Sequence, residues 1–225
     1  MNESPKPAYI FDLDGTLVDT APDLLAAVNA VLAGAGRETV DPETLRHMVG
    51  FGARSLITQA FSATGTPLGE HELPPLVDAF ITHYRANIAA ESRPFPGVEA
   101  TLKKLKGAAR LGVLTNKPQE LTDLLLPALK LDRFFAAIHG AGRLSVAKPD
   151  AAVFHHVMEE LGGTHGGAIM VGDSATDVAT ARAAGVPVIL VSYGYTPVPA
   201  RELGGDAVTD DFAEIPALAK RLLGL

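Results

Sequence analysis

The chain contains no cysteine. That removes disulfides, thiolate nucleophiles and cysteine-based metal sites together. Positive charge is also scarce, with 19 Lys and Arg against 26 Asp and Glu and a formal net charge of -7. Without a basic surplus, little is available to displace counterions from a phosphate backbone, so no nucleic-acid partner is expected. A few local cations can still serve a small anionic ligand on such a surface. No apolar run approaches the roughly 18 residues that span a bilayer. Met1–Pro7 is polar and lacks the apolar run of a secretion signal. These absences predict a cytoplasmic enzyme or binding protein with no membrane partner.

With 225 residues, 47% of them hydrophobic and 20% charged, the chain can form one large domain or a core carrying a smaller one. Its 16 prolines are scattered over junctions, which suggests turns and not a disordered tract. Short apolar runs rich in β-branched residues occur at Ala8–Leu13, Leu111–Thr115, Ala136–His139, Ala168–Val171 and Val188–Ser192. Continuous runs of this kind fit strands buried on both faces. Helical patterns follow them at Val98–Leu105, Pro118–Leu129, Ala151–Leu161 and Thr176–Ala184. Alternating strands and helices predict an α/β fold with a doubly wound, Rossmann-like parallel sheet.

Residues 21–90 differ. They offer helical patterns at Asp23–Leu32, Pro42–Val49, Ala53–Ala63 and Leu73–Asn87, and no convincing strand. Connections in compact domains are usually far shorter. The expectation is an inserted α-helical cap at 21–90, with 1–20 plus 91–225 forming the core. The alternative is a set of long crossover helices packed on the sheet.

Ligands of open α/β sheets bind beyond the carboxyl ends of the strands, so the residues ending each strand matter most. The first run ends in Asp12-Leu13-Asp14-Gly15-Thr16 and the second in Thr115-Asn116-Lys117. Lys148-Pro149 precedes the third of these helices, and the fourth run ends in Gly172-Asp173-Ser174, with Asp177 one turn later. Asp12 and Asp14 leave the same face of an extended chain, and two like charges held together call for a hard cation such as Mg²⁺. Asp173 would add a third carboxylate. Each residue also has a structural alternative: Asp14-Gly15 as a turn, Ser174 as a helix cap, Lys148 as a solvated lysine. Their joint order carries more than any one of them.

That order closely resembles the haloacid dehalogenase-like hydrolase superfamily, over nearly the whole chain. The motifs are Phe11-Asp12-Leu13-Asp14-Gly15-Thr16, Thr115-Asn116, Lys148-Pro149 and Gly172-Asp173-Ser174-Ala175-Thr176-Asp177. Within the superfamily, Val18–Pro22, Val49–Arg54, Arg93–Val98 and Tyr193–Tyr195 are most similar to bacterial phosphoglycolate phosphatases. The resemblance implies a phosphatase of small soluble phosphate esters, 2-phosphoglycolate first among them, acting as monomer or homodimer. It implies Asp12 as nucleophile, Asp14 as general acid and base, and Lys148 and Thr115 as holders of the phosphoryl oxygens. Mg²⁺ would bind Asp12, Asp173 and the backbone carbonyl of Asp14. Asp177, with Ser174 beside it, would orient Lys148 or a metal-bound water, and Asn116 would contact phosphate. In the cap, Gly52 and Arg54 are candidates to hold a substrate carboxylate, against the alternative of a helix-start loop with Arg54 in solvent. One departure is Gly140–Ser145, which lacks the acidic residue often found there in related phosphatases.

Rival functions leave other marks. Halide needs no protonation on leaving, so Asp14 would be superfluous in a dehalogenase. A phosphomutase of this cap type would carry a His soon after the first motif, and Ala21–Leu25 has none. A phosphonate hydrolase would need a cap lysine, absent between 37 and 90. Sugar-phosphate, nucleotide and pyrophosphate hydrolysis remain open, as does an inactive binding protein of the same fold. Adjacent His155 and His156 point apart on a helix, and His47, His71, His83, His139 and His165 show no matching partner. All seven are expected in surface or packing roles.

Overall fold

The computed structural model describes residues 6–163 and 167–225. His165 therefore lies outside the described residues, as does most of the polar segment Met1–Pro7. Six strands form one sheet: β1 (Ala8–Phe11), β4 (Arg110–Pro118), β5 (Ala137–Ala141), β6 (Ala168–Gly172), β7 (Val188–Val191) and β8 (Ala207–Thr209). Their order is β5-β4-β1-β6-β7-β8, and every pairing in it is parallel. The fold is the doubly wound α/β sheet that the apolar runs predict.

Alternation along the central strand assigns the layers. Tyr9 and Phe11 face one side, where α5 (Val98–Leu105), α6 (Gln119–Ala128) and α9 (Ile215–Leu223) cover them. Phe11 stacks on Phe212 there, with ring centroids 5.9 Å apart. Ala8 and Ile10 face the other side, under α7 (Ala151–Glu160) and α8 (Ala175–Ala184). A sheet apolar on both faces must be covered on both, which is why its strands read as unbroken apolar runs.

Between 21 and 90 lie four helices, α1 (Ala21–Gly34), α2 (Pro42–Arg46), α3 (Ala53–Ala63) and α4 (Leu73–Ala86). They share an apolar cluster of their own, including Leu24, Val28, Ile57, Phe61 and Phe80, which Leu121 and Tyr195 join from the sheet side. The chain leaves for these helices through β2 (Val18–Asp19) and returns through β3 (Arg93–Pro94), and the two short strands pair antiparallel. Buried Asp23 reinforces the junction by accepting hydrogen bonds from the Glu91 and Ser92 backbone N–H groups and from Ser92 Oγ at 2.6 Å. No helix among the described residues is long and apolar enough to cross a membrane.

The chain runs from β1 outward through β4 to β5, then returns to the opposite side of β1 at β6. The strand order thus reverses at β1, where open α/β sheets bind ligands. Phe11 is level with both Val113 and Val171, so Asp12 and Asp173 emerge within one residue of the same height.

Candidate active site

Asp12 follows β1 directly, its backbone N–H donating to Val171 at 2.9 Å. The chain then turns at Gly15, whose φ of +82° suits glycine and where a Cβ would lie 2.6 Å from Asp173 Oδ2. The turn brings Thr16 Oγ1 to 2.8 Å from Asp173 Oδ1, while the Tyr195 backbone N–H donates to Oδ2 at 2.8 Å. Asp173 is thereby fixed from two sides.

Lys148 reaches the same place from the segment between β5 and α7. Its Nζ lies 2.9 Å from Asp12 Oδ1 and 2.7 Å from Asp177 Oδ1, with all three residues buried. The second Asp177 oxygen accepts from the backbone N–H groups of Asp173 and Ser174 and from Ser174 Oγ. Ser174 in return caps α8, so the capping box at this helix start also aims the carboxylate that holds Lys148.

Asp12, Asp173 and Asp177 each bring a carboxylate oxygen within 4.8 Å of the other two. Asp12 and Asp177 thus share the one ammonium of Lys148, with the buried Asp173 carboxylate beside them. Burial raises the Asp12 pKa to about 7, only partly countered by Lys148, and Asp177 and Asp14 push it further up. Burial, then Asp177 and Asp12, raise Asp173 well above the carboxylate range. Burial pulls Lys148 down, but the charges of Asp12 and Asp177 outweigh it and leave the amine raised. An all-oxygen donor set with surplus negative charge fits a hard divalent cation such as Mg²⁺. The same donors suit ions that prefer thiolate or imidazole, such as Zn²⁺ and Cu²⁺, less well.

Asp14 turns the other way. It accepts from Thr20 Oγ1 at 2.7 Å and pairs with Lys117 Nζ at 2.9 Å. Lys117 is buried, and its ammonium sits 4.6 Å from the centre of the Tyr84 ring, on α4. Nothing beyond its place at the end of the second run singled out Lys117 in the sequence, because Asp14 and Tyr84 lie 103 and 33 positions away.

Thr115 is buried at the cavity wall, where its hydroxyl accepts from the Lys117 backbone N–H. Asn116 braces three segments: its Nδ2 donates to the carbonyls of Gly50 and Lys148, and its Oδ1 accepts from the Lys148 N–H. Gly52 lines the same cavity beside Asn116. Arg54 is exposed in the first turn of α3, and lines neither cavity that Asp12 and Asp14 share.

Tyr195 was quoted above only for its resemblance, yet it ties two regions together. Its hydroxyl accepts from the N–H groups of Thr20 (2.7 Å) and Ala21 (3.0 Å) and donates to Asp19 at 2.6 Å. Tyr195→Phe would strand two buried N–H groups where the chain enters α1. A loss of about 1–3 kcal/mol in urea unfolding is expected. A change below about 0.5 kcal/mol would mean that the donors find other partners.

Two cavities flank Asp12 and Asp14. One, of about 470 Å³ including its open mouth, runs under the helices of 21–90 between Leu24, Met48, Leu56, Phe80 and Tyr84, with Lys117 as its cation. The other lies toward Asp173, Ser174 and the segment after Tyr195.

Comparison with known proteins adds the following. Residues 9–191 match the family described as haloacid dehalogenase-like hydrolase. A phosphoglycolate phosphatase of Agrobacterium fabrum is 48% identical over 219 residues, covering 96% of this chain and 94% of that protein. One from Caulobacter vibrioides is 47% identical over 214 residues, covering 95% and 90%. The crystal structure of a predicted phosphoglycolate phosphatase from Haemophilus somnus 129pt aligns with a TM-score of 0.88 at 31% identity. That alignment covers 94% of this chain and 97% of the other.

Proposed function

Because the chain belongs to the haloacid dehalogenase-like hydrolase family, we propose that it is an Mg²⁺-dependent phosphatase acting on 2-phosphoglycolate. Phosphoric monoester hydrolysis is its reaction class. The observation that carries the substrate reading is the buried Lys117 ammonium beside Asp14, in a cavity whose other walls are largely apolar. A carboxylate two bonds from the ester oxygen would find there its one strong partner.

In this reading residues 21–90 act as a cap over the core formed by 1–20 and 91–225. Asp12 attacks phosphorus in line with the leaving alkoxide and becomes an aspartyl-phosphate, dividing hydrolysis into two displacements. Asp14 lies on the cavity side, where the leaving group departs. It gives that alkoxide a proton, then takes one from the water that cleaves the aspartyl-phosphate. Lys148, held by Asp177, and the hydroxyl of Thr115 face the phosphoryl oxygens as their charge redistributes. Asp12, Asp173 and the backbone carbonyl of Asp14 would hold Mg²⁺, which when bound offsets the repulsion between nucleophile and phosphoryl group. Asn116 keeps the Lys148 backbone and the Gly50 loop in place around them. The cap excludes bulk water and meets the leaving group.

The reading is tested by phosphate release from 2-phosphoglycolate and from esters of similar size without a carboxylate, with Mg²⁺ present. The wild type is expected to prefer 2-phosphoglycolate. Lys117→Met is expected to raise KM for it by about 10- to 150-fold, the loss of a charged hydrogen bond, with little change for the esters that lack a carboxylate. An equal fall in kcat for every ester would instead make Lys117 a positioner of Asp14. No preference in the wild type would favour another small phosphate ester.

A further inference from the structure

We propose that His139, His156 and Glu160 form a second metal site, for a divalent transition ion of the zinc class, beside the segment that carries Lys148. Each of the three offers a ligand atom within 4.8 Å of the other two. His156 and Glu160 lie one turn apart on α7, with Nε2 and Oε1 3.5 Å apart. His139 comes from β5, and its ring meets His156 edge-on at 5.2 Å between centroids.

His139 is the independent pointer to a ligand. It is 2% exposed, and its Nδ1 has no hydrogen-bond partner among the described residues. Buried polar atoms are nearly always satisfied, so an orphaned nitrogen on a ring that stands beside a second imidazole and a carboxylate calls for an explanation. Burial first, then Arg143 and His156, hold its pKa below the usual histidine value.

Two imidazoles and one carboxylate suit Zn²⁺, Co²⁺ or Ni²⁺ and not Mg²⁺, in contrast to the all-carboxylate cluster at Asp12. Tetrahedral ligands about 2.0 Å from zinc stand roughly 3.3 Å apart, so the three must draw together slightly. Arg143 opposes this. Its guanidinium pairs with Glu160 and donates to the Ile138 carbonyl. An incoming ion competes with that cation, which makes the site weak and also gives the experiment a handle. His139 and His156 flank residues 142–150 in sequence, so a bound ion would join both ends of the segment that delivers Lys148.

The experiment titrates Co²⁺ into full-length enzyme kept in excess Mg²⁺, reading visible absorption, with Zn²⁺ as competitor. One Co²⁺ is expected to bind with histidine-type bands and to be displaced by Zn²⁺. His156→Ala and Glu160→Gln, both at partly exposed positions, are expected to lose at least about tenfold in affinity. Phosphate release in Mg²⁺ should stay within about twofold of wild type in both, which also shows that they fold. Arg143→Gln is expected to bind several-fold more tightly. Absence of Co²⁺ binding, or binding unchanged in His156→Ala, would overturn the site. Unchanged affinity in Arg143→Gln would remove Glu160 from the ligand set and overturn the three-residue assignment.

Discussion

Asp12→Asn is expected to lower kcat for phosphate release by at least about 10⁴-fold while leaving the fold intact. The amide has the shape of the carboxylate but no negative charge with which to attack phosphorus. Its effect on stability should run the other way. In the metal-free protein Asp12 is a buried acid with a pKa raised to about 7. A raised acid binds its proton more tightly folded than unfolded. Folding therefore loses stability as pH climbs from the ordinary carboxylate pKa, near 4, through about 7. With chelator present, the Tm of the wild type should fall between pH 5 and pH 8, and that of Asp12→Asn should fall less. Turnover near wild-type levels in Asp12→Asn would remove the nucleophile assignment outright.

Lys148→Met carries the second large effect. Lys148 supplies the one ammonium among Asp12, Asp173 and Asp177, and the methionine leaves that negative charge uncompensated. Removing one partner of a buried ion pair costs about 3–5 kcal/mol. Chemical unfolding without metal should show a loss of that order. Added Mg²⁺ should recover more stability in the variant than in the wild type, because the ion would then be the only countercharge. Activity is expected to fall by about 10²–10³-fold, the scale seen when one donor to a developing charge is lost. A variant as stable as wild type without metal would mean that the carboxylates protonate at no cost.

The fold was legible where apolar runs were unbroken. The five runs read as strands lie on β1, β4, β5, β6 and β7, and Val98–Leu105 and Ala53–Ala63 are helices with the expected bounds. What escaped was short or half-exposed. β8 has three residues in a polar stretch at the sheet edge, and β2 and β3 have two each, too few for any period to register. Amphipathic α9 lies beyond the last of the apolar runs, where no strand follows to mark it as part of the alternation.

The carboxylates and Lys148 could be read from the sequence because strand ends converge on one rim by topology. Lys117 and Tyr195 could not, since each matters through contacts across the junction with 21–90. Glu160 was missed for another reason. Spacing between histidines alone does not reveal it, because the partner of His156 one helical turn on is a carboxylate.

The chain enters and leaves residues 21–90 through the paired strands β2 and β3, clasped by Asp23. A ribbon of that kind bends easily across its plane and resists shear along its length. On the proposed reading of 21–90 as a cap, its helices would tilt toward or away from the strand ends more readily than slide sideways over the sheet, once the packing on Leu121 and Tyr195 gives way. Substitutions at the ribbon are expected to alter how often the cavity opens more than how well it is shaped.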